Sequence, residues 1–282
     1  MKFLLQPDVL LDFIFAMKKA KEWWDWWKPE ENVIEFVDSG CSKEICPIGS
    51  LEFCLDYYKK LGIDLKPLNV PSNLFEYSIG YGNGSIKNAN FPEWIKELEG
   101  IAKTRLIKTI TENQGSLQLT THTVTSQDYL DRLLNLEWRG GMYVKSETKF
   151  KYPGNGLYDS INSFVKSEYY DSLDSYQVTS FDPEISDEWR YFVYEGKVVG
   201  CKCYLPDDLM SPKIPNKKWI LDKVSKIDLP AYTLDVAMSN SSHIKTPRIV
   251  EVHDFFSCGL YGFDDYGKLP YMFFRSHLHK FL

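Results

Sequence analysis

The sequence has few cysteines and lacks a cysteine motif for metal binding or redox chemistry. The six cysteines among its 282 residues are Cys41, Cys46, Cys54, Cys201, Cys203 and Cys258. None of them forms a C-x-x-C unit, and no histidine lies in the segment 41–54 to complete a zinc ligand set. We therefore predict reduced thiols in a cytoplasmic protein, with the pair Cys201 and Cys203 buried as small hydrophobic residues.

The sequence also lacks a long hydrophobic run and an excess of positive charge. The apolar N-terminal residues are interrupted by Pro7, Asp8 and Asp12, which argues against a signal peptide or a membrane-spanning helix. Lys and Arg number 33 against 39 Asp and Glu, so the net charge is -6. Because this charge provides no general attraction to phosphate backbones or anionic lipids, we predict neither nucleic acid nor a membrane as a partner.

The composition is otherwise that of a soluble globular protein, with 44% hydrophobic, 15% aromatic and 26% charged residues. A chain of this length buries about 75% of its unfolded surface, so its core needs no disulfide or metal for stability. Local patterns predict both helices and strands. The predicted strands are 33–37, 116–124, 141–145, 188–194, 198–204, 232–238 and 248–254, and the predicted helices are 9–27, 50–61, 91–108, one starting at Ser126, 219–227 and 269–282.

Two features need a choice between interpretations. The first predicted helix ends in the tryptophan-rich stretch 23–27, for which packing against a sheet is favoured over a membrane-interface or partner-binding surface. The glycines at 80–84 superficially resemble a phosphate-binding loop, but they lack the G-x-G-x-x-G order and no clear helix follows them. A turn or hairpin is the favoured interpretation there.

A lysine- and glycine-rich loop follows the predicted strand 141–145. Lys145, Lys149 and Lys151 alternate along it, and Gly154 and Gly156 come next. Glycine lets backbone amides approach an anion closely, and lysine supplies positive charge, which together suit a flexible lid over a triphosphate. The alternative is an ordinary solvated loop.

Two carboxylates lie within apolar strands of the second half. Asp235 is flanked by Leu234 and Val236, and Glu251 by Val250 and Val252. A carboxylate in such a place is costly to bury unless it is paired or binds a metal. This pattern leaves two alternatives, a site for a hard cation or salt-bridged carboxylates at the strand edges.

The order of these features resembles the ATP-grasp superfamily. M-Y-V-K-S and its Lys/Gly loop are followed by E-W-R-Y-F-V-Y-E-G-K-V-V-G, then T-L-D-V-A, then I-V-E-V-H-D-F-F, over about residues 125–266. The chain looks most similar to the compact clade related to the ribosomal-protein glutamate ligases, which phages and bacteria often encode. The resemblance implies an α+β chain in which a small α/β domain, 1–116, precedes an ATP-grasp domain, 117–282, with nucleotide between its two lobes.

The resemblance also implies site residues. Lys145 and Arg190 take the catalytic places, Lys145 at the nucleotide phosphates and Arg190 at the terminal phosphate and acyl phosphate. The lid corresponds to 149–156, including Lys149, Lys151 and Gly154, and the adenine hinge to Val178, Thr179, Ser180 and Phe181. Asp235 and Glu251 match the metal carboxylates. His253 stands where asparagine is usual, and the neighbouring Asp254 offers an oxygen instead, so both are candidates for the third ligand.

The function implied by the resemblance is ligation driven by ATP and Mg²⁺, with Mn²⁺ as the alternative ion. A small-molecule, peptide or protein carboxylate becomes an acylphosphate, and an amine then displaces the phosphate to form an amide. Two alternatives remain open: an ATP-grasp kinase, and a noncatalytic protein that binds a nucleotide or a partner. His253 and the tryptophan-rich helix favour the noncatalytic alternative.

Overall fold

The computed structural model describes most of the chain in separate stretches. These are residues 2–6, 19, 33–35, 41–71, 74, 85–88, 107–113, 116–122, 142–159, 163–164, 166–171, 176–180, 185–206, 210–240 and 247–282. The predicted turn at 80–84, the helix starting at Ser126, the tryptophans of the first predicted helix and Phe181 lie outside them. Within the described ranges, every helix is too short or too polar to cross a membrane.

The described elements confirm an α+β composition. The strands are β1 (Lys2–Leu5), β2 (Val33–Glu35), β3 (Ile45–Ile48), β4 (Ser85–Asn88), β5 (Ile107–Asn113), β6 (Ser116–His122), β7 (Met142–Ser146), β8 (Gly156–Tyr158), β9 (Tyr176–Ser180), β10 (Ile185–Tyr194), β11 (Lys197–Leu205), β12 (Ala231–Ser239) and β13 (Arg248–Asp254). The helices are α1 (Leu51–Lys60), α2 (Lys217–Val224) and α3 (Leu269–His279).

The chain divides into two compact units. The first comprises residues 1–65, 187–237 and 250–282, and the second comprises 66–186 and 238–249. The first unit contains the parallel sheet β2-β1-β3 and most of the sheet β11-β10-β12-β13. The second contains the sheet β4-β9-β7-β8 and the hairpin β5-β6. The domain division at 116/117 stays a prediction.

The hairpin β10–β11 follows directly from its local sequence. Glu195 and Gly196 both have positive φ, 47° and 69°, and Tyr194 pairs with Lys197 across this two-residue turn. Such turns match the right-handed twist of the strands they join. The hairpin predicted over 188–204 is confirmed, and it places Arg190 on the inner strand β10, next to β12.

The helix α1 is likewise defined by local signals. The Ser50 side chain caps its start by accepting from the Phe53 amide at 3.2 Å, and Gly62, with φ 77°, follows its end. Glu52 in the first turn and two lysines in the last turn complement the helix dipole. The predicted helix 50–61 is therefore confirmed.

The core of the first unit joins segments far apart in the sequence. Phe3 of β1, Cys46 of β3, Phe192 of β10 and Phe273 of α3 belong to one buried hydrophobic cluster. The Cys46 thiol lies 3.6 Å from the Phe273 carbonyl oxygen, 227 positions away in sequence. This core supports the sheet whose strands β10 and β12 carry Arg190 and Asp235.

Several sequence predictions are corrected. The predicted helix 91–108 is wrong at its end, because Ile107 and Lys108 pair with β6 as part of the strand β5. Cys201 is exposed, because the pair Cys201 and Cys203 lies on the outer strand β11 of the sheet. The parallel strands β1 and β3 were not predicted. All six thiols are free, as expected.

Candidate functional site

Arg190 and Asp235 form a buried, bidentate ion pair across two neighbouring strands. Arg190 Nε donates to Asp235 Oδ1 at 2.8 Å, and Nη2 donates to Oδ2 at 2.6 Å. The two side chains are only 7% and 2% exposed. A planar guanidinium matches a carboxylate in this way, so the pair fixes the orientation of both groups.

Burial and pairing act in opposite directions on the protonation of these two groups. Burial raises the pKa of the Asp235 carboxyl group, and the hydrogen bonds from Arg190 oppose that rise. Burial acts to lower the pKa of Arg190, but the hydrogen bonds to Asp235 outweigh it and the pKa is raised. Arg190 is therefore a permanent cation held at a fixed position.

A loop after β13 completes the surroundings of Arg190. Arg190 Nη1 donates to the Gly259 carbonyl oxygen at 3.0 Å. The Arg190 guanidinium carbon lies 4.8 Å from the centroid of the Tyr261 ring and 5.6 Å from that of Tyr204. The hydrogen bonds to Asp235 and Gly259 use three of the five guanidinium N–H groups. One N–H remains on each of Nη1 and Nη2.

Glu251 and His253 lie close to this ion pair. They occupy alternate positions on β13, the neighbour of β12, and so share one face of the strand. Both act electrostatically on Asp235: Glu251 raises its pKa and His253 lowers it. His253 Nδ1 lies 2.6 Å from the backbone oxygen of Asp254. A carbonyl only accepts, so Nδ1 carries the proton and Nε2 has the lone pair in the neutral ring.

Asp254 has a different environment. Its carboxylate accepts hydrogen bonds from Ser276 of α3 and from Lys280, directly after that helix. Lys280 is 3% exposed, so this is a buried contact. The geometry gives Asp254 the role of anchoring α3 to β13, whereas Glu251 and His253 act electrostatically on Asp235.

The lysines predicted to bind the nucleotide lie in the second unit. Lys145, on β7, has its ammonium 5.9 Å from the centroid of the Tyr143 ring. Lys149 Nζ lies 3.6 Å from a carboxylate oxygen of Asp171 and 4.9 Å from the centroid of the Tyr152 ring. Lys149 and Lys151 are both exposed, so their charges are screened by water.

Gly154 is buried, and close packing explains the absence of a side chain. A Cβ atom there would lie 2.5 Å from Tyr169 Cβ and 2.7 Å from the Tyr152 ring. Gly156 differs, because a Cβ there would meet nothing within 4 Å. The glycine at 154 thus lets the loop pack between two tyrosines, a reason that the sequence pattern did not reveal.

The predicted adenine hinge includes an inner strand. Val178 and Thr179 belong to β9, which pairs with β4 on one side and with β7 on the other. Ser180 pairs with Met142 of β7. Their role at the adenine stays a prediction.

The predicted site residues fall into two groups. The first unit brings Arg190, Asp235, Glu251 and His253 together, whereas the lysines 145, 149 and 151 belong to the second unit. No three histidine, cysteine or carboxylate side chains among the described residues are grouped closely enough to hold a metal by themselves. Sequence reasoning missed Gly259 and Tyr261, whose only signal was the pair of glycines in the loop 257–263.

The sequence also matches a known protein family. The model for the ATP-grasp domain of R2K clade family 3 matches residues 69–270. The chain belongs to this ATP-grasp family. The resemblance carried by the ordered motifs around Lys145, Arg190, Asp235 and Glu251 is therefore confirmed, as is the ATP-grasp fold. Comparison with curated proteins gives no match.

Solved structures similar to this ATP-grasp protein include two ligases and a macrocyclase. The D-alanine–D-alanine ligase from Bacillus anthracis is 11% identical, with a TM-score of 0.43 over 99% of this chain and 98% of that one. The macrocyclase MdnC, bound with precursor peptide MdnA from Microcystis aeruginosa MRC, is 11% identical, with a TM-score of 0.40 over 100% and 99%. The ATP-grasp ligase PsnB, complexed with minimal precursor, Mg and ADP, is 11% identical, with a TM-score of 0.40 over 98% and 96%.

Proposed function

We propose that this ATP-grasp protein is an ATP-dependent carboxylate–amine ligase. The observation that carries the proposal is the buried Arg190–Asp235 pair with Glu251 and His253 beside it. Phosphoryl transfer needs fixed positive charge at the transferred group and hard oxygen ligands for a divalent cation. These four residues supply both on neighbouring strands of one sheet.

The donor set fits magnesium bound together with a nucleotide. Mg²⁺ in such sites takes one or two carboxylates from the protein and its other ligands from phosphates and water. Asp235 and Glu251 supply that number, so a third protein ligand is not required. Asp235 would share its oxygens with Arg190, and His253 would be an optional third ligand through Nε2. When bound, the cation would offset the negative charge of the phosphate oxygens.

The proposed reaction has two steps. In the first, an oxygen of the substrate carboxylate forms a bond to the γ-phosphorus of ATP, the bond to the β–γ bridging oxygen breaks, and ADP leaves. In the second, an amine nitrogen bonds to the acyl carbon, inorganic phosphate leaves and the nitrogen loses a proton. Arg190 would bind the transferred phosphoryl group through its remaining N–H groups, while Lys145 and Lys149 would bind nucleotide phosphates.

The test measures ADP release with magnesium and ATP, across a panel of amino acids and peptides as carboxylate and amine substrates, with product mass determined. Glu251→Gln keeps the side-chain size but removes the charge. We expect it to lower turnover by on the order of 100-fold, as for other lost charge-stabilising contacts. Glu44→Gln, on an exposed residue of the same unit, is the matched control. Equal turnover in the two variants would contradict the metal assignment.

A noncatalytic nucleotide-binding protein is the second candidate. Two features favour it: Arg190 and Asp235 neutralise each other, and His253 stands where the family resemblance implies asparagine. ATP binding without ADP release under any substrate condition would support this candidate. A product heavier by one phosphate and lacking an amide would instead indicate a kinase.

A further inference from the structure

The loop that contacts Arg190 has an unusual backbone. Ser257, Tyr261 and Gly262 all have positive φ, 52°, 43° and 78°. Glycine adopts this region freely, but a bulky side chain such as tyrosine does so only against a steric cost. Unfavourable backbone of this kind persists only where the surrounding structure imposes it, and it concentrates at functional sites.

The strain at Tyr261 is not explained by burial of its own side chain. The nearby side chains of Leu260 and Phe263 are only 4% and 1% exposed, and the Phe263 ring centroid lies 4.5 Å from that of Phe192 in the core. Tyr261 itself is 49% exposed. The core contacts therefore fix the loop on both sides, and Tyr261 remains at the surface above Arg190.

The contacts of the Tyr261 ring connect it to the ion pair. It stacks on Tyr204 with 4.7 Å between centroids and 14° between planes, and its centroid lies 4.8 Å from the Arg190 guanidinium carbon. The Tyr204 hydroxyl donates to Glu188, two residues before Arg190 on β10. A Cβ at position 259 would lie 3.1 Å from the Tyr261 ring, so Gly259 leaves room for this arrangement.

We infer that Tyr261 is a positioning residue that holds the Arg190 guanidinium in the orientation that binds the terminal phosphate of ATP, an inference that rests on the proposed function. Arg190 has a long, flexible side chain. Asp235 binds one edge of the guanidinium, and the Gly259 carbonyl oxygen accepts from Nη1. The Tyr261 ring constrains the plane of the guanidinium through a cation–π contact. The two remaining N–H groups are thereby set in place before a phosphate arrives, which reduces the entropy lost on binding.

The test separates positioning from stability through Tyr261→Asn. Asparagine tolerates left-handed backbone better than tyrosine, so this variant relieves strain while it removes the ring. We expect the melting temperature to be maintained or to rise, while the affinity for magnesium–ATP falls about two- to thirtyfold, the range of a cation–π contact. Affinity for magnesium–ADP should change less than twofold, because ADP lacks the phosphate that Arg190 binds.

Three further variants complete the design. Tyr261→Phe keeps the aromatic ring, so it should bind ATP as tightly as the wild type does. Tyr266→Leu removes a tyrosine that packs against the core and should leave the ratio of ATP to ADP affinity unchanged. In an Arg190→Lys background, Tyr261→Asn should have no further effect on ATP affinity, because the positioned group is already missing.

The outcomes are distinguishable. If the wild type binds ATP but Tyr261→Asn binds it equally well, or weakens ATP and ADP alike, the positioning role is wrong and the proposed function stands. If the wild type binds no ATP with magnesium, the proposed function fails and this inference fails with it.

Discussion

The ammonium of Lys280 pairs with the carboxylate of Asp254, and this buried contact joins the end of α3 to the end of β13. Asp254 directly follows His253, so the anchor lies next to the residues that act electrostatically on Asp235. Ser276 donates a hydrogen bond to the same carboxylate. The position of the C-terminal helix therefore bears on the strand that carries Glu251.

Removing one partner of the Lys280–Asp254 pair should destabilise the folded protein. Lys280→Met leaves the Asp254 carboxylate without its cation in a largely buried place, which we expect to lower the free energy of unfolding by about 3 kcal/mol. Urea denaturation measures the change. Lys60→Met is the control, since the Lys60–Asp56 pair is 59% and 61% exposed and water screens it. Similar decreases in the free energy of unfolding of the two variants would show that Lys280 does not form a buried ion pair with Asp254.

Two glycines of the lysine-rich loop should respond differently to alanine. In Gly154→Ala the added methyl group would overlap Tyr169 and Tyr152, so we expect a loss of about 1–3 kcal/mol of stability. Gly156→Ala meets nothing within 4 Å and should be close to neutral. Thermal unfolding of the two variants side by side checks this. A neutral Gly154→Ala would show that the loop rearranges easily and would restore the interpretation of Gly154 as a phosphate-approach residue.

His277 should make stability depend on pH. Its Nε2–H donates to the Lys43 carbonyl at 2.8 Å, so Nδ1 accepts from the Tyr58 hydroxyl at 2.9 Å. Burial lowers the pKa of His277 to about 4, with a further contribution from Lys280. Between pH 6.5 and 4 the unfolded chain binds a proton that the folded protein does not. The contribution of His277 to the free energy of unfolding is therefore complete above pH 6.5. As the pH is lowered from 6.5 to 4, this contribution decreases by up to about 1.4 kcal/mol per pH unit.

The variant His277→Gln isolates this contribution from that of the carboxylates. The glutamine side chain does not titrate. As the pH is lowered over the same range, the free energy of unfolding of this variant should therefore decrease less steeply than that of the wild type. Parallel pH profiles for the two proteins would mean that His277 is protonated in the fold.

The six thiols should differ in reactivity. Cys46, Cys54 and Cys258 are buried, and burial raises the pKa of each, to about 12 for Cys54 and Cys258. Cys201 is exposed. Because only the accessible thiolate reacts, we expect iodoacetamide to modify Cys201 first and the three buried cysteines only after unfolding. Peptide mass spectrometry at successive times measures the order, and early modification of Cys258 would contradict the described core.

The sequence predicted the elements that are encoded locally. The hairpin at Glu195–Gly196 and the helix capped by Ser50 depend on residues that are adjacent in the chain. The strand β13 was predicted with its observed bounds because the β-branched residues Ile249, Val250 and Val252 lie close together in it. The pairing of Arg190 with Asp235 was not predicted, although both residues were selected, because it depends on which strands lie side by side.

Features that depend on packing had no sequence signature. The strand β1 pairs with β2 and β3 in parallel, which no local pattern reveals. Tyrosine rarely adopts a positive φ, so the residue type at position 261 predicts a different backbone conformation. The observed φ follows from the contacts of the neighbouring residues. Gly154 was selected because glycine lets backbone amides approach an anion, whereas the structure needs glycine there for space beside two tyrosines.

The shared core of β1 and α3 has a consequence for biosynthesis. Phe3 contacts Phe274 with 6.2 Å between ring centroids, and Lys43 contacts His277 across 234 positions. The ribosome synthesises Phe274 about 270 residues after Phe3, at roughly 5–20 residues per second. The strands β1 and β3 are therefore synthesised many seconds before α3. During that time their apolar side chains are accessible to other chains. A slowly translated or truncated copy is the form most exposed to chaperones and aggregation.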